Sequence, residues 1–354
     1  MAAGPQGSTR THSVTLIAGD GIGPEVTEAV VRILEAAVEG TGAKFAWEPF
    51  LVGANAFEKH GEYIPQAVYD SIERNRVALK GPVTTPVAGG FSSINVHLRK
   101  KFELFANFRP IKNLPGMDMR YPGVDLIIVR ENTEGEYAQV GGFVYMAQPE
   151  EVAIQTSVFT RRGVERVVRY AFELAVKRGK KMRVTSITKS NAQGYGMGLW
   201  DRTFRDVAIE FPGIQTESLL VDAAAMNFIR RPDTFDVVVA SNLFGDILSD
   251  ISAIVVGSMG LAASANLDPS RRFPSMFEPV HGSAPDIAGK GVVNPLAAIL
   301  SAAMMLEHLE QPAAARDVEQ AVAAVLAEGK VRTPDLGGAN STQETTDAVL
   351  EKMA

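Results

Sequence analysis

The chain contains 0 cysteines. That excludes disulfides, thiolate-bound zinc and a cysteine nucleophile, and it fits a reducing cytoplasm. It also lacks an apolar run clean enough to cross a bilayer, which needs about 20 residues. The nearest stretch, Leu296 to Leu306, is short, rich in Ala and Met, and follows Pro295; it reads as a buried core helix. There is no excess of positive charge. The formal net charge is −6, whereas a nucleic-acid partner requires a basic face. The first residues, MAAGPQGSTRTHS, have no apolar centre and read as a lead-in, not a secretory signal. No internal repeat or low-complexity tract is visible. What remains is ordinary for a soluble globular protein: 354 residues, 46% hydrophobic and 21% charged, long enough for two lobes.

The most informative stretch is Asp236 to Asp250. Its β-branched run Asp236-Val237-Val238-Val239-Ala240 has the pattern of a strand buried on both faces. A turn, Ser241 to Gly245, is expected next, then a helix opening with Asp246 and Asp250. Four residues apart, their carboxylates share a face and repel. Oxygen ligands of this kind suit Mg²⁺ or Mn²⁺. A solvated acidic turn facing the helix dipole would explain the pair equally well.

Earlier in the chain, Val14 to Ala18 leads into Gly19-Asp20-Gly21-Ile22-Gly23-Pro24-Glu25, a strand, glycine turn and helix start. The spacing is not that of a dinucleotide fingerprint. A count from Gly19 needs glycine at Pro24, and one from Gly21 needs it at Val26. Further strands are expected at Lys44 to Phe50, Arg76 to Lys80, Val124 to Val129 and Arg183 to Thr188. Helices are expected after Ser93, a capping residue, over Arg162 to Arg178, and over Tyr195 to Glu210. Tyr137 to Glu151 reads as a loop or antiparallel arm. Asp20, Gly81, Arg130, Lys189 and Asn242 each follow an apolar run, which predicts one cleft along the C-terminal edge of a sheet.

Arg99, Arg109 and Arg130 carry planar forks suited to carboxylates. With a carboxylate-bound cation, they would accept a substrate bearing two or three carboxylates and a hydroxyl. Lys189 and Tyr137 are the candidate proton-transfer groups, their pKa values expected to be pulled down by such surroundings. The small residues of Glu278 to Lys290 allow close backbone approach to a nucleotide. Asp286 there could accept both hydroxyls of a ribose and repel a 2′-phosphate, favouring NAD. Its alternative role is to cap a short turn.

Taken together, the motifs resemble the β-decarboxylating dehydrogenases that act on isocitrate, homoisocitrate, 3-isopropylmalate, tartrate and D-malate. The matching segments are GDGIGPE at Gly19, LRKKFELFANFRP at Leu98, RENTEGEY at Arg130, TKSN at Thr188, VDAAAM at Val221, NLFGDILSD at Asn242, EPVHGSAPDIAGKG at Glu278 and TPDLGG at Thr333. The resemblance implies an α/β, isopropylmalate-dehydrogenase-like fold of two lobes, with a cleft between them and a cofactor site that is not a Rossmann site. The larger lobe would comprise 1–103 and 257–354, and the smaller, with a dimer interface and arm, 104–256. It implies that Arg99, Arg109 and Arg130 hold substrate carboxylates. Asp246 and Asp250 would bind Mg²⁺ or Mn²⁺ together with Asp222 of a second copy. Lys189 and Asn191 would also cross into that copy's site, so the enzyme would be a homodimer or a higher oligomer. Tyr137 and Lys189 would move protons. NAD would contact Ile22, Thr85, Glu278, His281, Gly282, Ser283, Ala284, Asp286, Ile287 and Asn294.

Substrate choice turns on Ser93-Ile94-Asn95 before Arg99. The Ser-x-Asn pattern resembles isocitrate dehydrogenases, where both side chains meet the extra carboxylate. Ile154 to Gly163, Ser264 to Pro269 and Phe273 to Ser275 look more like tartrate or D-malate dehydrogenases. Isocitrate is the expected substrate because the pocket side chains touch it. The alternatives are tartrate or D-malate, isopropylmalate or homoisocitrate, and, in a different class, a non-catalytic regulatory subunit.

Overall fold

The structure, a computed structural model, describes residues 10–84, 93–117 and 121–354. The first part of the chain forms β1 (Arg10–Ile17), α1 (Gly23–Val38), β2 (Ala43–Phe50), α2 (Ala54–His60), α3 (Gln66–Asn75), β3 (Val77–Lys80) and α4 (Ile94–Lys101). The middle forms β4 (Ala106–Lys112), β5 (Asp125–Glu131), β6 (Gly135–Val144), β7 (Val152–Val158), α5 (Arg161–Arg178), β8 (Arg183–Thr188), α6 (Gly196–Ala208), β9 (Gln215–Leu220), α7 (Val221–Arg230), β10 (Val237–Ala240) and α8 (Asn242–Val255). The last part forms β11 (Ala263–Leu267), β12 (Ser275–Pro279), α9 (Leu296–His308), α10 (Pro312–Glu328) and α11 (Thr342–Met353).

Strand β1 begins earlier than the apolar run suggests. Its polar start pairs in parallel with β2, Arg10 opposite Ala43, so the edge ladder sets the boundary there. Helix α1 buries Val26, Val30, Ile33 and Leu34 along one stripe, the helical period expected of a surface helix. Helix α9 is buried along most of its length, as its Ala- and Met-rich sequence predicts. Among the described residues, no helix is long and apolar enough to cross a membrane.

Ten strands form one sheet in the order β2-β1-β3-β12-β11-β4-β5-β10-β8-β9. The block β2, β1, β3 and β12 is parallel, and so is the block β5, β10, β8 and β9. Between them β11 and β4 are antiparallel to each other and to their outer neighbours. Three reversals leave the two parallel blocks running in opposite directions. The expectation of one shared C-terminal edge is therefore corrected. Asp20 and Gly81 lie at one edge of the sheet, and Arg130, Lys189 and Asn242 at the other. Asp20 is moreover a structural residue: its carboxylate accepts from the backbone N–H groups of Ala54, Asn55 and Thr84 at 3.2, 3.2 and 2.8 Å.

The pleat of the antiparallel centre separates two faces. Asn107, Arg109, Asn266 and Glu278 stand on one, linked by hydrogen bonds. Phe108, Ala265 and Phe277 alternate with them and pack into the apolar core behind. One core draws on residues from Phe105 to Val256, centred on Phe172, Trp200 and the β10 valines. Two others are built from the two ends of the chain. Strands β6 and β7 pair with each other in a separate hairpin and leave Val140, Phe143, Val144 and Ile154 exposed.

Candidate active site

Helix α8 follows β10 without the expected turn: residues Asn242 to Gly245 are its first helical turn. The reason lies outside the stretch. Ser241 occupies the N-cap position without capping through its side chain. Glu136, from β6, supplies the missing acceptor, taking the Leu243 N–H at 3.1 Å and the Ser241 hydroxyl at 2.7 Å. Asp246 and Asp250 are thereby moved one turn further into the helix.

Gly245 lets this helix sit directly on β5. A Cβ there would lie 2.7 Å from Arg130 Cβ. Across that contact, Arg130 donates to Asn242 Oδ1 from Nε and Nη2, at 3.1 and 2.7 Å. Its Nη1 pairs with Asp246. Arg109 also reaches Asp246, at 3.2 Å, and lies 3.6 Å from Asp250. Asn107 and Ser249 accept from the same guanidinium and fix its plane. Arg99, Arg109 and Arg130 are all buried.

The electrostatics follow from this crowding. Burial, then the charge of Arg109, pull Arg130 down to about 9, still a cation at neutral pH. Burial opposes ionisation of Asp246, but Arg130 and Arg109 outweigh it and hold its pKa below the usual range. For Asp250 burial prevails, opposed by Arg109 and reinforced by Asp246, and the pKa rises. The Tyr137 phenol donates to Asp246 Oδ2 at 3.3 Å, with Arg130 over its ring at 5.6 Å. Its pKa is raised by burial and by Asp246, not lowered as expected; burial and the carboxylate that accepts its hydrogen bond together outweigh the arginines.

Arg99 is held by a residue assigned above to the cofactor. Glu278 takes Arg99 at 2.9 Å and Lys80 at 2.5 Å, all three side chains being buried. Burial opposes ionisation of Glu278, but Lys80 and Arg99 prevail and its pKa lies far below the usual range. Such a group stabilises the fold above its unfolded-state pKa of about 4.3, and that contribution fades as pH falls towards the folded-state value. Glu278→Gln should therefore cost about 3–5 kcal/mol at neutral pH by leaving two buried cations short of a partner. Urea denaturation should show the gap to the parent narrowing as pH drops below about 4.3; a constant gap would contradict the ion-pair account.

Among the described residues, Asn95 Oδ1 and Arg99 Nε, one turn apart on α4, are buried without a partner. Ser93 stands at the N-cap of α4, as its sequence suggests, yet its side chain makes no capping bond. Lys189 and Asp222 pair with each other at 2.7 Å, past β8 and at the start of α7. They do not join Asp246 and Asp250 within one chain, and Asn191 beside them is exposed. Among the described residues, no three His, Cys, Asp or Glu side chains of one chain converge as a metal site.

The candidate nucleotide residues gather where three loops meet. The Ser283 carbonyl accepts the Ile22 N–H at 2.9 Å, and its hydroxyl meets Thr84 at 2.8 Å. Gly21, at φ +58°, is required here, because a Cβ would lie 2.0 Å from that carbonyl. His281 Nδ1 lies 3.1 Å from the Gly282 carbonyl, while its Nε2 is buried without a partner among the described residues. Burial keeps the ring neutral by lowering its pKa. Ala284 and Ile287 pack on the core, Gly282 and Asp286 are exposed, and Asn294 is buried with its amide on Asp335 and the Leu296 N–H. Thr85 lies outside the described residues. Sequence reasoning missed Lys80, Glu136 and Lys100, each of which acts on a site residue from another element. Only Lys80 carried a hint, as a cation closing an apolar strand.

The family described as isocitrate/isopropylmalate dehydrogenase matches residues 13–349. A probable tartrate dehydrogenase/decarboxylase of Agrobacterium vitis is 43% identical, over 98% of this chain and 97% of its own. A 3-isopropylmalate dehydrogenase of Thermobifida fusca is also 43% identical, over 98% of this chain and 99% of its own. The crystal structure of isocitrate dehydrogenase from Methylococcus capsulatus superposes with a TM-score of 0.92 at 43% identity, covering 97% and 99% of the two chains. The chain therefore belongs to the isocitrate/isopropylmalate dehydrogenase family, and is a decarboxylating dehydrogenase that oxidises a hydroxy acid.

Proposed function

We propose that the enzyme oxidises and decarboxylates isocitrate to 2-oxoglutarate, with NAD and with Mg²⁺ or Mn²⁺. The observation that carries this reading is the pair of buried guanidinium groups, Arg109 and Arg130, on the partly exposed Asp246, with Asp250 and Tyr137 beside them. Asp246 and Asp250 fit a hard divalent cation: both offer carboxylate oxygen, one helical turn apart on α8. NAD fits the loop junction, where His281 Nε2 lacks a partner and Asp286 is open to solvent. When bound, NAD accepts the hydride, and the cation stabilises negative charge on substrate oxygens.

The chain's own residues do the rest. Arg99, Arg109 and Arg130 hold the carboxylates, with Asn95 and Ser93 for the additional one of isocitrate. Lys189 of a second copy takes the hydroxyl proton. After CO₂ departs, the Tyr137 phenol returns a proton to the carbon it leaves. Two apolar stripes support the second copy's part. Ile247 and Ile254 are exposed on the face of α8 that bears Asp250, and Met226 and Ile229 on the face of α7 that bears Asp222. A homodimer covering both stripes brings Asp222 and Lys189 of one chain to Asp250 of the other. The separation of cores supports two lobes, 1–103 with 257–354 and 104–256, and the absence of cysteine supports a cytoplasmic setting.

Likeness to tartrate dehydrogenases favours tartrate or D-malate as a second reading. Steady-state NAD⁺ reduction with Mn²⁺ and isocitrate, homoisocitrate, isopropylmalate, D-malate and tartrate decides between them. Isocitrate is expected to give the highest kcat/KM, by about tenfold or more over the acids with only two carboxylates, which leave the Ser93 and Asn95 donors unpaired at about 1–3 kcal/mol. A higher value for any other acid rejects isocitrate. No turnover on all five would favour a regulatory subunit.

A further inference from the structure

Strand β6 carries Tyr137 through an irregular stretch. It pairs with β7 at Gly135 and Val158, and next at Val140 and Thr156. Between those pairs β6 takes five residue steps while β7 takes two, so part of β6 bulges out of the ladder. Gln139 sits in the left-handed region at φ 59°, within the bulge. The carbonyls of Tyr137 and Ala138 lie within this irregular stretch. Both point to one side chain from a distant element: Lys100 Nζ donates to them at 3.0 and 3.1 Å.

Lys100 lies next to Arg99 on α4, the helix that also carries Asn95. Its ammonium ties the substrate-facing helix to the main chain of the tyrosine. Two adjacent carbonyls on one cation fix the direction of the intervening peptide, not merely its distance. The side chain of the preceding residue, Glu136, is tied to α8, and Lys100 adds a restraint on the main chain of Tyr137 itself, whose phenol lies 3.3 Å from Asp246 Oδ2.

We propose that Lys100 is the positioning residue for Tyr137, clamping the bulge so that the phenol faces Asp246 and the reacting carbon. This rests on the role given to Tyr137 above. Lys100 itself exchanges no proton and touches no substrate.

A double-mutant cycle on the full-length enzyme tests it, using Tyr137→Phe, Lys100→Met and the pair. Two rates are measured: NAD⁺ reduction by the preferred hydroxy acid, and decarboxylation of the corresponding β-keto acid, added directly, followed as formation of the protonated 2-keto acid. Lys100→Met is expected to slow β-keto acid decarboxylation about 10- to 100-fold, as a displacement near 1 Å of a reacting group does, while KM for the hydroxy acid changes less than about threefold. In the Tyr137→Phe background the same substitution should change the rate less than about twofold. Lys100→Arg, which keeps the cation and its donors, should recover most of the rate. Should Lys100→Met fail to fold, Lys100→Gln takes its place in the cycle. Equal losses in both backgrounds overturn the proposal, as does a rise in KM with an unchanged decarboxylation rate, which would place the effect on Arg99. A Tyr137→Phe enzyme that decarboxylates like the parent overturns the tyrosine's role itself, and is told apart from failure of the clamp by that single variant.

Discussion

Asp246→Asn is expected to abolish metal-dependent turnover, lowering kcat by about 10³-fold or more while the protein stays folded. The carboxylate does three things at once. It neutralises Arg130 and Arg109, accepts from Tyr137, and offers oxygen towards the space shared with Asp250. The amide keeps the shape but carries no charge, so the proposed cation would lose a ligand and two buried guanidinium groups their nearest carboxylate. The structural cost is about 3 kcal/mol, the lower end for a broken buried pair because Asp246 is partly exposed. Mn²⁺ titration followed by its paramagnetic resonance measures the first effect, and circular dichroism the second. Unaltered Mn²⁺ affinity would remove Asp246 from the ligand set, whatever happened to the rate.

Much of this cluster was legible because its chemistry is local in sequence. The pair Asp246 and Asp250 declares itself by helical spacing, and Arg130 by standing at the end of a buried strand. The hidden parts are those that depend on strand direction or on partners far away in the chain. Short runs such as Ala263–Leu267 and Ser275–Pro279 carry no mark of antiparallel pairing, so the reversal at the sheet centre was invisible and five strand ends were placed on one edge. Helix α8 begins at Asn242 because Glu136, some hundred residues earlier, supplies its cap. Nothing within Asp236 to Asp250 encodes that. Glu278 sits in a nucleotide-like segment and yet holds Lys80 and Arg99, because the pleat of β12 turns it to the polar face. Propensity and spacing identify which residues are unusual; register decides which of them meet.

The hardest test of the whole arrangement uses two dead enzymes. In the proposed homodimer each site takes Asp246 and Asp250 from one chain and Lys189, Asn191 and Asp222 from the other. Asp246→Asn homodimers should be inactive, and so should Lys189→Met homodimers. Unfolding and refolding the two together at equal concentrations gives hybrids in which one site combines both defects and the other has neither. Random pairing makes half the dimers hybrid, so about a quarter of all sites should regain full activity. The recovered enzyme should show the KM of the parent, since its working sites are chemically complete. This result distinguishes shared sites from self-contained ones without any knowledge of the substrate. Were Lys189 to serve its own chain, a hybrid would pair one site lacking Asp246 with one lacking Lys189, and no activity would return. The pairing of Lys189 with Asp222 at 2.7 Å, apart from Asp246 and Asp250 in the same chain, is the reason to expect recovery: the two groups already travel together, and the exposed stripe below Asp222 gives them a second chain to reach.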